Sequence, residues 1–264
     1  MSEVTTIICL TTIAGSCIPL GGLIASFQRI HPNWLEREFR YFLIAFGGGI
    51  LLGAVAIVLV PEGINNMNHS LLSITIILIG GITFFIIERM LGLRRRGAPK
   101  LMGMILDYAP EALALGGLIA TGAPTATLLA VLIGLQNLPE GFNSYRELIA
   151  QHKNTSRQTL LIMLALVALG PIAGLIVYFL LSTQPAILGG VMLFSSGGIL
   201  YLIFQDIAPQ SHLRKHWAPP LAAVFGFCLA LFSEMLLTAS YHSPHRFIKT
   251  VNRAAIDVLA ESHI

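Results

Sequence analysis

The chain has 264 residues, of which 55% are apolar and only 11% charged, and its net charge is +3. Soluble domains carry about 25% charged residues, so an ordinary soluble globule is excluded. The composition predicts an all-α polytopic protein embedded in a lipid bilayer.

Apolar runs of roughly 18 to 24 residues recur along the chain, each long enough to cross a hydrocarbon core at about 1.5 Å per residue. Eight are predicted, near 5–27, 41–61, 71–92, 101–122, 124–143, 159–182, 187–208 and 218–240. The first is read as a helix rather than a cleaved signal peptide. Its leading residues Met1-Ser2-Glu3-Val4 lack a basic region, and Gly21 to Phe27 extend the span. No soluble domain or long linker interrupts the series, so one membrane domain, residues 1–243, is expected, followed by a tail over 244–264.

Lysine and arginine set the orientation, because cytoplasmic loops retain them. The connections after spans one, three, five and seven carry Arg29, Arg37, Arg40; Arg89, Arg94, Arg95, Arg96, Lys100; Arg146, Lys153, Arg157; and Arg214, Lys215. The alternate connections, Asn65 to Ser70, Thr121 to Pro124 and Ser182 to Pro185, carry none. Eight spans with both termini outside satisfy this alternation. Arg246, Lys249 and Arg253 in the tail depart from it. The tail is either an amphipathic surface helix, with Phe247, Ile248, Val251, Ile256 and Leu259 apolar, or solvated chain. The net charge reflects this topology, and no nucleic-acid motif is present. Cys9, Cys17 and Cys228 all fall inside spans without metal-ligand spacing, and are read as buried small residues, with Cys9 and Cys17 on a helix face shared with a pore as the alternative.

The second and seventh spans echo each other. Gly48-Gly49-Ile50-Leu51 followed by Pro61-Glu62 resembles Gly197-Gly198-Ile199-Leu200 followed by Pro209-Gln210. A repeat between oppositely oriented halves is the mark of inverted-repeat transporters, whose sites lie at the midplane where interrupted helices meet. Glycine pairs also recur in membrane helices simply as close-packing surfaces, and the sequence leaves both readings open.

The fourth and fifth spans hold polar residues that lipid disfavours. Asp107 and Glu111 stand four residues apart on one helix face, as do Gln136 and Glu140, with Asn137 beside them. A charged residue at mid-bilayer costs several kcal/mol, of order 2.5–3.5 on insertion scales, unless something pairs with it. Pro110 and Pro139 precede the two glutamates and free the carbonyls of Leu106 and Leu135 for coordination. The very short connection between the two spans makes them an antiparallel hairpin, so these groups converge on one cavity suited to a divalent cation. Protonated, hydrogen-bonded acids as interhelical glue are the alternative, yet three acids on adjacent helices exceed what packing requires. The seventh span adds Gln205 and Asp206. Asp206 is expected near the cytoplasmic mouth, as an exit-site ligand or as a partner of Arg214 or Lys215. Glu62 and Glu234 fall near outer helix ends and read as solvated or interfacial carboxylates, with a cation-attracting vestibule as the alternative.

At these motifs the chain resembles the ZIP family (Zrt/Irt-like proteins) of divalent metal transporters, over nearly its whole length. The family's His-Asn-x-Pro-Glu-Gly-like sequences in helices four and five are matched by Asp107-Tyr108-Ala109-Pro110-Glu111-Ala112 and Gln136-Asn137-Leu138-Pro139-Glu140-Gly141. Gly48 to Glu62, Ile87-Glu88-Arg89, Gly198 to His212 and Phe225-Gly226-Phe227 also fit. The resemblance implies eight helices, both termini outside, and a binuclear metal site at Asp107, Tyr108, Glu111, Gln136, Asn137 and Glu140, with Gln205 contributing from helix seven. This chain departs from the pattern at several of these positions. Both histidines are replaced, by Asp107 and Gln136; the first asparagine is Tyr108; a helix-two methionine corresponds to Leu51; and a helix-six glutamate corresponds to Gly170 or Pro171. An all-oxygen site favours harder ions such as Mn²⁺, Fe²⁺ or Mg²⁺ over Zn²⁺. Loss of one of the two sites, leaving a single ion between Asp107, Glu111, Glu140 and Asn137, stands equally open.

The expected function is movement of a divalent metal ion of the zinc, iron or manganese class toward the cytoplasm by alternating access. The ion is cargo, and no prosthetic group or enzymatic activity is expected. By resemblance, helices one, four, five and six slide against the other four. The expected location is a cell membrane, the inner one in a Gram-negative bacterium, and a homodimer is left open. Two rivals remain: a transport-deficient homologue that senses metal or scaffolds a partner, and an intramembrane enzyme, for which no nucleophile or activated water can be placed.

Overall fold

The computed structural model describes residues 2–27, 33–91, 99–150, 155–210 and 218–237. In chain order these form α1 (Glu3–Phe27), α2 (Asn33–Gly53), a π-helical turn (Ala54–Leu59), α3 (Val60–Asn66), α4 (Leu72–Leu91), α5 (Pro99–Ala120), α6 (Ala126–Ala150), α7 (Ser156–Leu166), α8 (Leu169–Leu181), α9 (Pro185–Leu202), a second π-helical turn (Ile203–Ile207) and α10 (Ala208–Gln210). A last helix, α11, spans Ala218–Leu237. No strand occurs among the described residues. The predicted tail and the basic residues Arg214 and Lys215 lie outside the described residues.

Seven of the helical segments are long and apolar enough to cross a membrane, which marks a polytopic membrane protein. The expected fifth span, α6, is not among the seven, although its 25 residues are long enough. Gln136, Asn137, Glu140 and Asn143 lower its hydropathy, and the fold shows why that is tolerated. Most of α6 is buried against other helices, whereas α4 and α11 expose Leu72, Ile74, Leu78, Leu221, Phe232 and Met235 outward. A helix shielded from lipid can hold polar groups that a peripheral one cannot.

Close backbone contacts fix the relative directions. Gly21 of α1 abuts Leu138 and Phe142 of α6, while Gly134 abuts Ala14 and Cys17, so α1 and α6 run parallel. Parallel pairing also joins α5 to α8 (Tyr108 at Gly170, Gly116 at Gly174), α4 to α9 (Gly80 at Phe194, Phe84 at Gly198) and α2 to α11 (Gly49 at Ala223, Gly53 at Ala230). Antiparallel contacts link α1 to α8 (Ile7 at Gly174, Gly22 at Met163 of α7) and the α2–α3 rod to α9 (Gly48 at Ile207, Gly63 at Leu193). Small residues at these crossings let backbones approach where lipid supplies no hydrophobic drive for association. The helices fall into two clusters: α1, α5, α6, α7 and α8 pack together, and α2, α3, α4, α9 and α11 form the other.

The irregularities lie where proline imposes them. Val60 N–H bonds to the Val55 carbonyl and Ala208 N–H to the Ile203 carbonyl, each five residues back. Both widened turns directly precede a proline, Pro61 and Pro209, whose ring presses on the carbonyl four residues earlier. Between α7 and α8 the chain tightens instead, with Val167, Ala168 and Gly170 N–H groups bonding three residues back just before Pro171. The sixth span is thus two short helices rather than one. By contrast, Pro110 and Pro139 sit inside continuous helices, so neither motif breaks its span.

The hairpin of α5 and α6 is confirmed. Gly122 takes φ 69° beyond the end of α5, and its N–H and that of Ala123 bond back to Ile119 and Leu118. Glycine meets this left-handed geometry without a Cβ penalty and reverses the chain at once. The cysteine reading is corrected: Cys9 and Cys17 are half-buried and Cys228 is exposed, because each falls on a helix flank rather than a core stripe.

Candidate functional site

Asp107, Gln136 and Glu140 meet as expected, and two further polar residues join them. A cavity of about 40 Å³ is lined by Asp107 of α5, Gln136, Glu140 and Asn143 of α6, Leu43, Ile44, Gly47 and Gly48 of α2, and Asp206 and Ile207 of the second widened turn. That volume exceeds the roughly 10–15 Å³ one water needs. It lies on the boundary between the two helix clusters, the first supplying Asp107, Gln136, Glu140 and Asn143, the second supplying Asp206.

On α6, Gln136 Nε2 donates to Glu140 Oε2 at 2.7 Å, while Gln136 Oε1 is buried without a partner. Glu111 is 2% exposed, does not line the cavity, and keeps a buried Oε2 with no partner, within electrostatic reach of Glu140 and Asp107. Asn137 turns toward α1: its Nδ2 donates to the Ala14 carbonyl at 3.0 Å, and its Oδ1 is buried without a partner. Buried oxygen acceptors left unmatched are costly, and each calls for an explanation such as an ion or water.

Asp206 lines the same cavity as Asp107 and Glu140. The widened turn before Pro209 packs Ile207 against Gly48, where a Cβ would lie 2.5 Å from Ile207 Cγ2, and Asp206 comes with it. Gln205 goes the other way. Its Nε2 donates to Glu88 Oε1 at 3.2 Å, Tyr201 Oη donates to Glu88 Oε2, and Gln205 lines a separate apolar groove with Phe85 and Phe204. Glu62 Oε1 accepts from Thr125 Oγ1 at 2.8 Å. Leu51 is buried in the apolar core.

Sequence reasoning missed Asn143. It is 3% exposed, lines the cavity, and neither Oδ1 nor Nδ2 has a partner. The signal was present: residues 136, 140 and 143 recur at helical spacing and form one polar stripe. One turn beyond the cavity on both helices, Arg40 pairs with Glu147 at 3.1 Å, and Phe39 meets Phe142 edge to face.

Tyr108 does not face the cavity. Its hydroxyl donates to the Thr11 carbonyl at 2.9 Å, and the ring fills space left by Gly15 and Gly170. Among the described residues, no three His, Cys, Asp or Glu side chains converge in a group that could hold a metal ion. Any cation in the cavity would therefore rely on amide oxygens and water as well as carboxylates. No family model matches the chain, and no curated protein matches it.

Proposed function

We propose that this chain is a ZIP-like transporter that carries a divalent metal ion toward the cytoplasm by alternating access. The observation that carries the reading is the polar cavity on the boundary between two helix clusters, with Asp107, Glu140 and the amides of Gln136 and Asn143 on one side and the Asp206 carboxylate on the other. A site divided between two packed bodies is what a sliding mechanism requires, since relative movement exposes it first to one side and then to the other. The moving cluster is α1, α5, α6, α7 and α8.

Orientation follows from charge. The cavity occupies the half of the bundle nearest Arg40 and Arg146, whose connections are rich in lysine and arginine and so belong in the cytoplasm. Both termini then lie outside, in a cell membrane, the inner one in a Gram-negative bacterium. The inverted repeat gains support from the paired widened turns at Ala54–Leu59 and Ile203–Ile207, each before a proline, in segments that run antiparallel.

Among the described residues no imidazole, thiolate or thioether lines the cavity, and this donor set favours harder ions such as Mn²⁺, Fe²⁺ or Mg²⁺. Tyr108 bonds to a main-chain carbonyl and Gly170 has no side chain, which favours one ion at a time rather than a bridged pair. Uptake into vesicles reconstituted with the full chain tests the reading across Mn²⁺, Fe²⁺, Mg²⁺ and Zn²⁺. Wild type is expected to admit a hard ion down its gradient, and Glu140→Ala or Glu111→Ala to abolish uptake while still inserting. Full uptake in both variants refutes the assignment, and strong preference for Zn²⁺ over Mn²⁺ refutes the choice of ion. Absence of flux with retained metal binding identifies a sensor or scaffold instead.

A further inference from the structure

We infer that the cavity is a cation station in its own right, set apart from Glu111, in which Asn143 and Asp206 are ligands. The inference rests on the transport reading and adds where the ion pauses and what holds it.

Asn143 is the independent pointer. An amide 97% buried with both polar atoms unmatched is expensive, and packing alone does not ask for one. The cavity wall beside it includes Leu43, Ile44 and Ile207, against which a leucine would sit as well. An oxygen offered into a cavity that already holds Asp107, Glu140 and the unmatched Gln136 Oε1 is explained by a cation that the amide carbonyl meets.

Asp206 closes the station from the other cluster. Residues 136, 140 and 143 lie along one face of α6, Asp107 comes from α5, and Asp206 is carried in by the widened turn packed on Gly48. Since no three acids converge in a metal-holding group among the described residues, the bound ion keeps part of its water shell. A cavity of about 40 Å³ has room for an ion and one or two waters. Retained water with few carboxylates is the habit of Mg²⁺ and, by ligand preference, Mn²⁺. Because its ligands come from both clusters, the station is complete only when they are juxtaposed as here, so occupancy favours this arrangement over the alternative one.

Mn²⁺ binding to the full chain in lipid nanodiscs tests the station, read from loss of the paramagnetic resonance signal of free Mn²⁺. Asn143→Leu and Asp206→Asn are each expected to weaken binding about tenfold, the loss of one charge-assisted contact. Asn143→Asp is expected to bind at least as tightly as wild type, which a merely structural role for the amide would not produce. Glu62→Gln, an acid removed elsewhere, is expected to match wild type. Wild-type affinity in both Asn143→Leu and Asp206→Asn, or no Mn²⁺ binding by wild type, overturns the inference. Parallel vesicle uptake separates the two readings. Binding that follows this pattern without Mn²⁺ influx leaves the station standing and removes transport. Influx with unaltered affinity in both variants does the reverse.

Discussion

Tyr108 occupies the place that a side chain on residue 170 would need. A Cβ built at Gly170 would lie 2.1 Å from the Tyr108 hydroxyl oxygen and 3.1 Å from the Thr11 carbonyl that this hydroxyl bonds. Large and small residues on α5 and α8 are thus matched, with α1 held between them through the same bond.

Gly170→Ala is therefore expected to destabilise the fold by about 1–3 kcal/mol through overpacking. Tyr108→Phe alone loses one buried hydrogen bond, worth about 0.5–1.5 kcal/mol. The double variant is expected to cost less than the sum, because removing the hydroxyl relieves the clash. Denaturant titration of the four proteins in detergent reads the coupling; simple additivity contradicts the packing account.

Gly141→Ala is expected to be worse than Gly170→Ala. Its Cβ would lie 2.1 Å from the Ile18 carbonyl oxygen, and backbone cannot rotate away as a phenol can. The cost should reach or exceed the upper end of about 1–3 kcal/mol, since α1 and α6 must separate. The same titration ranks the two, and a milder effect at 141 would show that the helices yield easily.

Asp107→His replaces a cavity oxygen with an imidazole. On the transport reading, uptake of Zn²⁺ relative to Mn²⁺ should rise about tenfold or more, following ligand softness. Competition uptake with both ions present measures the ratio, and an unchanged ratio would place the ion away from residue 107.

The Arg40 and Glu147 side chains are 35% and 32% exposed, so their ion pair is largely screened by solvent. Glu147→Gln is expected to cost only about 0.2–1 kcal/mol, and less at 1 M salt. A larger, salt-insensitive loss would reveal a buried role for the pair.

Tyr201→Phe removes one of two donors to Glu88 and is expected to cost about 1.5 kcal/mol, the low end for a bond to a charged group, because the cluster is only part-buried. Uptake is expected to persist, since the cluster faces away from the cavity. Thermal unfolding and vesicle flux on the same preparation check both statements.

The sequence by itself determined the helical class, the membrane setting and the hairpin that brings Asp107 and Glu140 together. Those follow from mean hydropathy, span length and the cost of acids in lipid, all properties of local composition. Even α6, too polar to stand among the seven apolar segments, was legible as a span because its polar residues keep helical spacing on one face. Only the tertiary structure decided which neighbours complete the site. Asn143 drew no notice in the sequence, and only its burial, with both amide atoms unmatched beside the cavity, singles it out. Gln205 and Asp206 are adjacent in the chain yet part company, one to Glu88 and one to the cavity, because successive residues on a helix face different neighbours and packing chooses between them. The exchange between Tyr108 and Gly170 joins residues 62 positions apart, and no periodicity within either helix could have disclosed it.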